Sequence, residues 1–260
     1  MNHLLTDDGV RIAWDVTGVT SGPPLLLSNS LGTRRSMWDA NLAAFQQVFR
    51  VIRYDSRGHG DSDAPGGEYD MARLGADAVA VLDAAGVDRA HLVGVSMGGM
   101  VGQWLGLHAS DRVDRLVLAN TAAWMGPPES WNARIGTVRS LGMAGVADAV
   151  MERWFTPEFR DGGRSSVERR RAELLALDPA GYIGCCAAIR DMDNRPDLHR
   201  LARPVMVVGG TRDPATPPEK AEELAALIPG ARLASLPAAH LSNIEQPPAF
   251  NNLVLDFLEA

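Results

Sequence analysis

The sequence predicts an α/β protein: a mostly parallel sheet with helices on both faces and an inserted helical cap. Three observations predict it. Short apolar runs, Pro24-Leu25-Leu26-Leu27-Ser28 and Pro204 to Gly210 among them, have the length of strands buried on both faces. Segments of helical periodicity alternate with those runs. Between Asn120 and Pro204 the alternation stops, and only helical periodicity remains.

The elements follow in order. Arg11 to Val16 alternates polar and apolar residues, as a half-exposed antiparallel strand does. The buried run at Pro24 comes next, then a helix over about Trp38 to Gln47. Phe49 to Tyr54 reads as a strand, and the loop Asp55-Ser56-Arg57-Gly58-His59-Gly60-Asp61-Ser62 follows it. A helix from Met71 to Ala84 leads to the strand at Ala90. A helix follows Ser96, and Val113 to Leu118 is the next strand. Four helices are expected over Trp131–Ser140, Val146–Phe155, Val167–Leu177 and Gly181–Arg190. The strand at Pro204 then resumes the alternation. A helix over Pro217–Leu227, a strand over Ala231–Leu236 and a last helix from Pro247 complete the chain. Residues 1–122 and 197–260 are expected to form the sheet core, and 123–196 the helical cap.

At 260 residues the chain is long enough to bury a sizeable core without disulfides or metals. Its net charge of −7 argues against nucleic acid or an anionic membrane as partner. An anionic substrate would need local positive charge against that overall field. The only cysteines, Cys185 and Cys186, are adjacent, which disfavours a bridge and fits a reducing compartment. The N-terminus shows no secretory signal, and a cytoplasmic location is expected. The Walker and dinucleotide-binding glycine patterns are absent.

Gly94-Val95-Ser96-Met97-Gly98-Gly99 stands between the strand at Ala90 and a helix. A serine on such a cramped turn is lifted clear of the sheet. The residues two before and two after it must be nearly free of side chain. Ser96 is therefore a candidate nucleophile. Two further loops follow late strands. Thr211-Arg212-Asp213-Pro214 presents Asp213, and Ala239-His240-Leu241 presents His240. On a blander reading Ser96 is a turn residue, Asp213 caps the next helix and His240 is a core histidine. The order acid then histidine after the serine favours a proton-relay line.

These residues resemble the α/β-hydrolase superfamily, whose triad runs in that order. Asp55-x-Arg57-Gly58-His59-Gly60-x-Ser62 is a further signature of it, in which the histidine is structural. The finer resemblance is to bacterial 3-oxoadipate enol-lactonases. It rests on Ser28-Asn29-Ser30-Leu31-Gly32-Thr33, Gly94 to Met100, Ala119 to Ala122, Gly181 to Ile189 and Ala238 to Glu245. Most relatives have His-Gly where this chain has Ser30-Leu31.

The resemblance implies acyl transfer to water, with no cofactor and no metal. His240 would take the Ser96 proton, and Asp213 would hold the imidazole. The backbone N–H groups of Leu31 and Met97 would receive the oxyanion. The implied reaction opens 3-oxoadipate enol-lactone to 3-oxoadipate, in the β-ketoadipate route of aromatic breakdown. That small-molecule lactone carries a free carboxylate. Trp131 and Arg134, three apart on one helix face, are candidates for its wall and anchor, with Trp154 a further wall residue. Arg153 and Arg190 are rival anchors. Carboxylesterases, carbon–carbon bond hydrolases and perhydrolases use the same triad. A small-molecule receptor of this fold is the alternative of another class.

Overall fold

A computed structural model describes residues 1–260. In chain order the elements are β1 (Asn2–Leu5), β2 (Arg11–Gly18), β3 (Pro24–Ser28), α1 (Asp39–Phe45), β4 (Arg50–Tyr54), α2 (Met71–Ala84), β5 (Ala90–Val95), α3 (Met97–His108) and β6 (Val113–Ala119). Five helices follow before the next strand: α4 (Pro128–Leu141), α5 (Ala144–Trp154), α6 (Pro157–Gly162), α7 (Arg164–Leu175) and α8 (Pro179–Asp191). The chain closes with β7 (Val205–Gly210), α9 (Pro218–Leu227), β8 (Arg232–Leu236), α10 (Ser242–Glu245) and α11 (Pro247–Leu258).

The eight strands form one sheet in the order β1-β2-β4-β3-β5-β6-β7-β8. β1 and β2 are antiparallel to their neighbours, and every pairing from β4 to β8 is parallel. The chain moves outward from β3 to β4, then crosses back to β5 on the other side of β3. That reversal is a topological switch point, and the loops leaving β3 and β5 there flank an open crevice. Ser28 lies in register with Gly94, so both loops start side by side. Leu25, Leu26, Leu27, Leu92 and Val93 are fully buried, as strands covered on both faces require.

α2 shows how local sequence sets an element. Asp70 accepts a hydrogen bond from the Arg73 N–H at 2.7 Å and starts the helix. Met71, Leu74, Ala78, Val81 and Leu82 recur at helical spacing, and all are buried.

Several boundaries differ from the sequence reading. The helix expected over Trp38–Gln47 is a 3-10 turn, Arg35–Trp38, followed by an α-helix ending at Phe45. β1 was not foreseen. It is a four-residue edge strand, mostly exposed, and so lacks the alternation that marks a half-buried one. α6 was missed although its signals are present: Thr156 caps it through Phe159 N–H, and Pro157 opens it. The stretch between β6 and β7, expected to lack extended pairing, holds one isolated bridge, Trp124 to Asp193. No single helix is long and apolar enough to cross a membrane.

Candidate active site

Ser96 sits at φ 57° and ψ −116°, a conformation sparsely populated by residues with a side chain. Its neighbours explain how the chain tolerates the turn. A methyl group on Gly94 would collide with the Gly98 carbonyl, and one on Gly98 would collide with the Ser28 carbonyl. The first glycine therefore lets α3 start against β5. The second lets α3 approach the loop after β3. The helix begins at Met97, directly after the serine. Thr121 Oγ1 donates to the Ser96 carbonyl at 2.8 Å and braces the turn from the end of β6.

Asp213 leaves β7 in the loop before α9, and His240 follows β8. His240 Nδ1 and Asp213 Oδ2 are 2.8 Å apart, and both side chains are almost wholly buried. Asp213 Oδ2 also accepts from Thr216 Oγ1 at 2.6 Å and from Asn120 Nδ2 at 3.0 Å. Its Oδ1 accepts from the Ala215 and Thr216 N–H groups at 2.8 and 3.0 Å. Burial alone would push this carboxyl up. The His240 charge and hydrogen bond, with the Thr216 donors, outweigh it and hold Asp213 below the usual carboxylate range. The carboxylate stays ionised and keeps its imidazole partner in the tautomer with a proton on Nδ1.

Neither Ser96 Oγ nor His240 Nε2 is hydrogen-bonded to another protein group. Both residues line one cavity of about 510 Å³. A serine–histidine hydrogen bond in a site of this kind often tightens only in the substrate complex.

The Leu31 and Met97 N–H groups have no acceptor within the protein. Met97 is the first residue of α3, where an N–H has no partner in its own helix. Leu31 lies in the loop after β3, and that loop is held from below. The Gly32 N–H donates to His59 Nε2 at 2.9 Å, while His59 Nδ1 meets the Arg57 carbonyl at 3.1 Å. This pairing requires the neutral imidazole with its proton on Nδ1. Burial keeps it neutral by pushing the His59 pKa down.

Trp131, Arg134 and Trp154 all line the same cavity, as does Arg153. Arg190 does not: it faces Glu68 and Asp191, each at 2.8 Å or less, outside the cavity. Arg134 and Arg153 form no ion pair and no hydrogen bond with protein groups. Arg134 lies over the Trp131 ring, 4.7 Å from its centre. Burial, with the Arg134 charge beside it, pushes the Arg153 guanidinium down. Lys220 completes three cationic residues on the wall, and no acidic residue lines it. Tyr182 contributes too, whereas Cys185 and Cys186 are buried free thiols in the packing behind it. Arg34 and Arg35 face a separate polar cleft with Asp15, Asp39 and Glu173, and take no part in the cavity.

Sequence reasoning overlooked three supporting residues. Asn120, at φ 45°, bonds Asp213 and the Ala239 carbonyl and accepts from Ser242 Oγ at 2.6 Å. Thr216 had an ordinary helix-start signature, Thr-Pro-Pro, and nothing pointing to Asp213. Glu245 accepts from the Ala239 N–H at 2.9 Å and from Thr156 N–H and Oγ1, so it ties the histidine loop to the helices between β6 and β7. The Leu241 N–H adds a bond to the Trp154 carbonyl at 3.1 Å.

Switch-point crevice, strained serine and buried Asp–His pair define a hydrolase of the α/β class. The family model for the α/β hydrolase fold matches residues 23–247, and the chain belongs to that family. It is 41% identical over 250 residues to 3-oxoadipate enol-lactonase 2 of Acinetobacter baylyi, covering 96% of this chain and 94% of that one. A hydrolase from Pseudomonas aeruginosa superposes with a TM-score of 0.97 at 48% identity, over 100% of this chain and 98% of that one. The enol-lactonase from Burkholderia xenovorans superposes with a TM-score of 0.97 at 39% identity, over all of both chains.

Proposed function

We propose that this chain hydrolyses 3-oxoadipate enol-lactone to 3-oxoadipate through an acyl-enzyme on Ser96. His240 Nε2 takes the Ser96 proton as Oγ bonds the lactone carbonyl carbon, and Asp213 stabilises the imidazolium. The carbonyl oxygen gains the charge and meets the Leu31 and Met97 N–H groups, with the α3 dipole behind Met97. The ring C–O bond then breaks, and His240 gives its proton to the departing enolate, which becomes the ketone and leaves the imidazole neutral again. Water, deprotonated by His240, releases the second carboxylate and restores Ser96.

One observation carries the substrate class. Two guanidiniums without partners line the same cavity as Ser96, in a chain of net charge −7. A partly buried cation without a counter-ion is costly unless a ligand supplies the charge. The lactone's free carboxylate supplies it. We assign Arg134 as its anchor, with Trp131 and Trp154 as apolar walls, and place 123–196 as the cap that carries them. The cytoplasm is the compartment where such a small-molecule enzyme with free thiols would work.

The test follows the ultraviolet absorbance of the enol-lactone with purified protein. The wild type should consume the lactone catalytically, and Ser96→Ala should reduce the rate to near background. A wild type that leaves the lactone untouched overturns the substrate assignment.

A further inference from the structure

The loop after β3 contains one buried hydroxyl that has no hydrogen-bond partner and no part in the mechanism above. In the run Ser28-Asn29-Ser30, the first two side chains are fully engaged. Ser28 Oγ meets Tyr54 Oη at 2.7 Å. Asn29 donates to the Tyr54 carbonyl at 2.6 Å and accepts from Trp38 Nε1 at 2.9 Å. Ser30 differs. Its carbonyl accepts from Thr33 N–H and Thr33 Oγ1 at 3.1 and 2.7 Å, which fixes the backbone. Its hydroxyl is buried and has no hydrogen-bond partner, and the residue is only 1% exposed.

Ser30 also lines the cavity of Ser96 and His240, and it directly precedes Leu31. A buried hydroxyl without a partner destabilises the fold, so its retention on a rigid loop calls for a partner that arrives later. We propose that Ser30 Oγ–H is a third donor to the oxyanion, beside the Leu31 and Met97 N–H groups. As Ser96 Oγ bonds the carbonyl carbon, the carbonyl electron pair moves to oxygen, and the Ser96 proton goes to His240. The Ser30 proton stays on its own oxygen and donates a hydrogen bond to the charge formed. That bond strengthens in the transition state, so it raises kcat more than it lowers KM.

The inference requires ester attack at Ser96, whatever the natural acyl group. The test therefore uses p-nitrophenyl acetate, with the enol-lactone assayed in parallel. Ser30→Ala should lose kcat on the order of 10²-fold with KM within about threefold. Its Tm should equal or exceed that of the wild type, because the substitution removes an unpaired buried polar group. Ser30→Cys, near in size and a weak donor, should fall between the two in kcat. A kcat for Ser30→Ala within about twofold of wild type overturns the proposal. So does a loss of kcat in both variants that comes with a lowered Tm. Wild-type turnover of the nitrophenyl ester but not the lactone would remove the substrate assignment and leave the Ser30 comparison intact.

Discussion

On the strand-end side of the cavity the acid, the histidine loop and the loop of Leu31 are braced by hydrogen bonds from neighbouring residues, whereas on the helical side two guanidiniums have no polar partner. Asp213 alone receives five hydrogen bonds from four residues. Asn120, Thr216 and Glu245 reinforce the acid and histidine loops, and His59 does the same for the loop of Leu31. Arg134 and Arg153, on α4 and α5, are held by packing and by an aromatic face only. The contrast separates two tasks. Charge that develops during reaction needs fixed dipoles that do not reorganise. Charge that arrives with a ligand needs an unmet counter-charge, kept apart until binding.

The largest effect should come from the strand-end side. Asp213→Asn leaves the shape of the site but favours the wrong imidazole tautomer, so kcat should fall roughly 10⁴-fold with KM little changed. Steady-state kinetics on the enol-lactone and on a neutral ester check this, and both should suffer alike. A loss confined to one substrate would break the division of tasks.

A smaller effect concerns pH. His59 and His91 are both pushed below the ordinary histidine value of 6.5 by burial. Below that value the unfolded chain binds protons that the folded chain resists. Their contribution to stability is present above 6.5 and is lost as pH falls through the folded values. Urea midpoints should therefore decline between about pH 7.5 and about pH 5.5. His59→Gln should make that decline shallower without abolishing it, since His91 remains. Equal slopes for wild type and variant would contradict a neutral His59 beneath Gly32.

The two sides were not equally legible in the sequence. Ser96, Asp213 and His240 could be read because each sits at a strand end, where the turn itself dictates glycine or a loop. The same logic pointed to Leu31 and Met97, whose proposed role depends on backbone position alone. Asn120 was hidden because its side chain acts on Asp213, a residue far along the chain, and Thr216 because a Thr-Pro-Pro helix start does not show that its hydroxyl reaches back to Asp213. The cationic side was open for a different reason. Three arginines were compatible with the anchor, since helical periodicity shows which residues share a face but not what that face meets. Only the fold sends Arg190 to Glu68 and Asp191 while Arg134 and Arg153 reach the cavity.

The central claim is that a proton-relay floor and a cationic wall act on one substrate. It is tested most directly by kcat/KM for the enol-lactone relative to its neutral methyl ester, in the wild type and in Arg134→Ala/Arg153→Ala. The wild type should favour the free carboxylate on the order of 10²-fold, within the roughly 2–5 kcal/mol lost when one partner of a buried charge pair is removed. The double variant should lose that preference through KM while turning over the neutral ester at the wild-type rate. A preference unchanged by removing both guanidiniums would contradict the account.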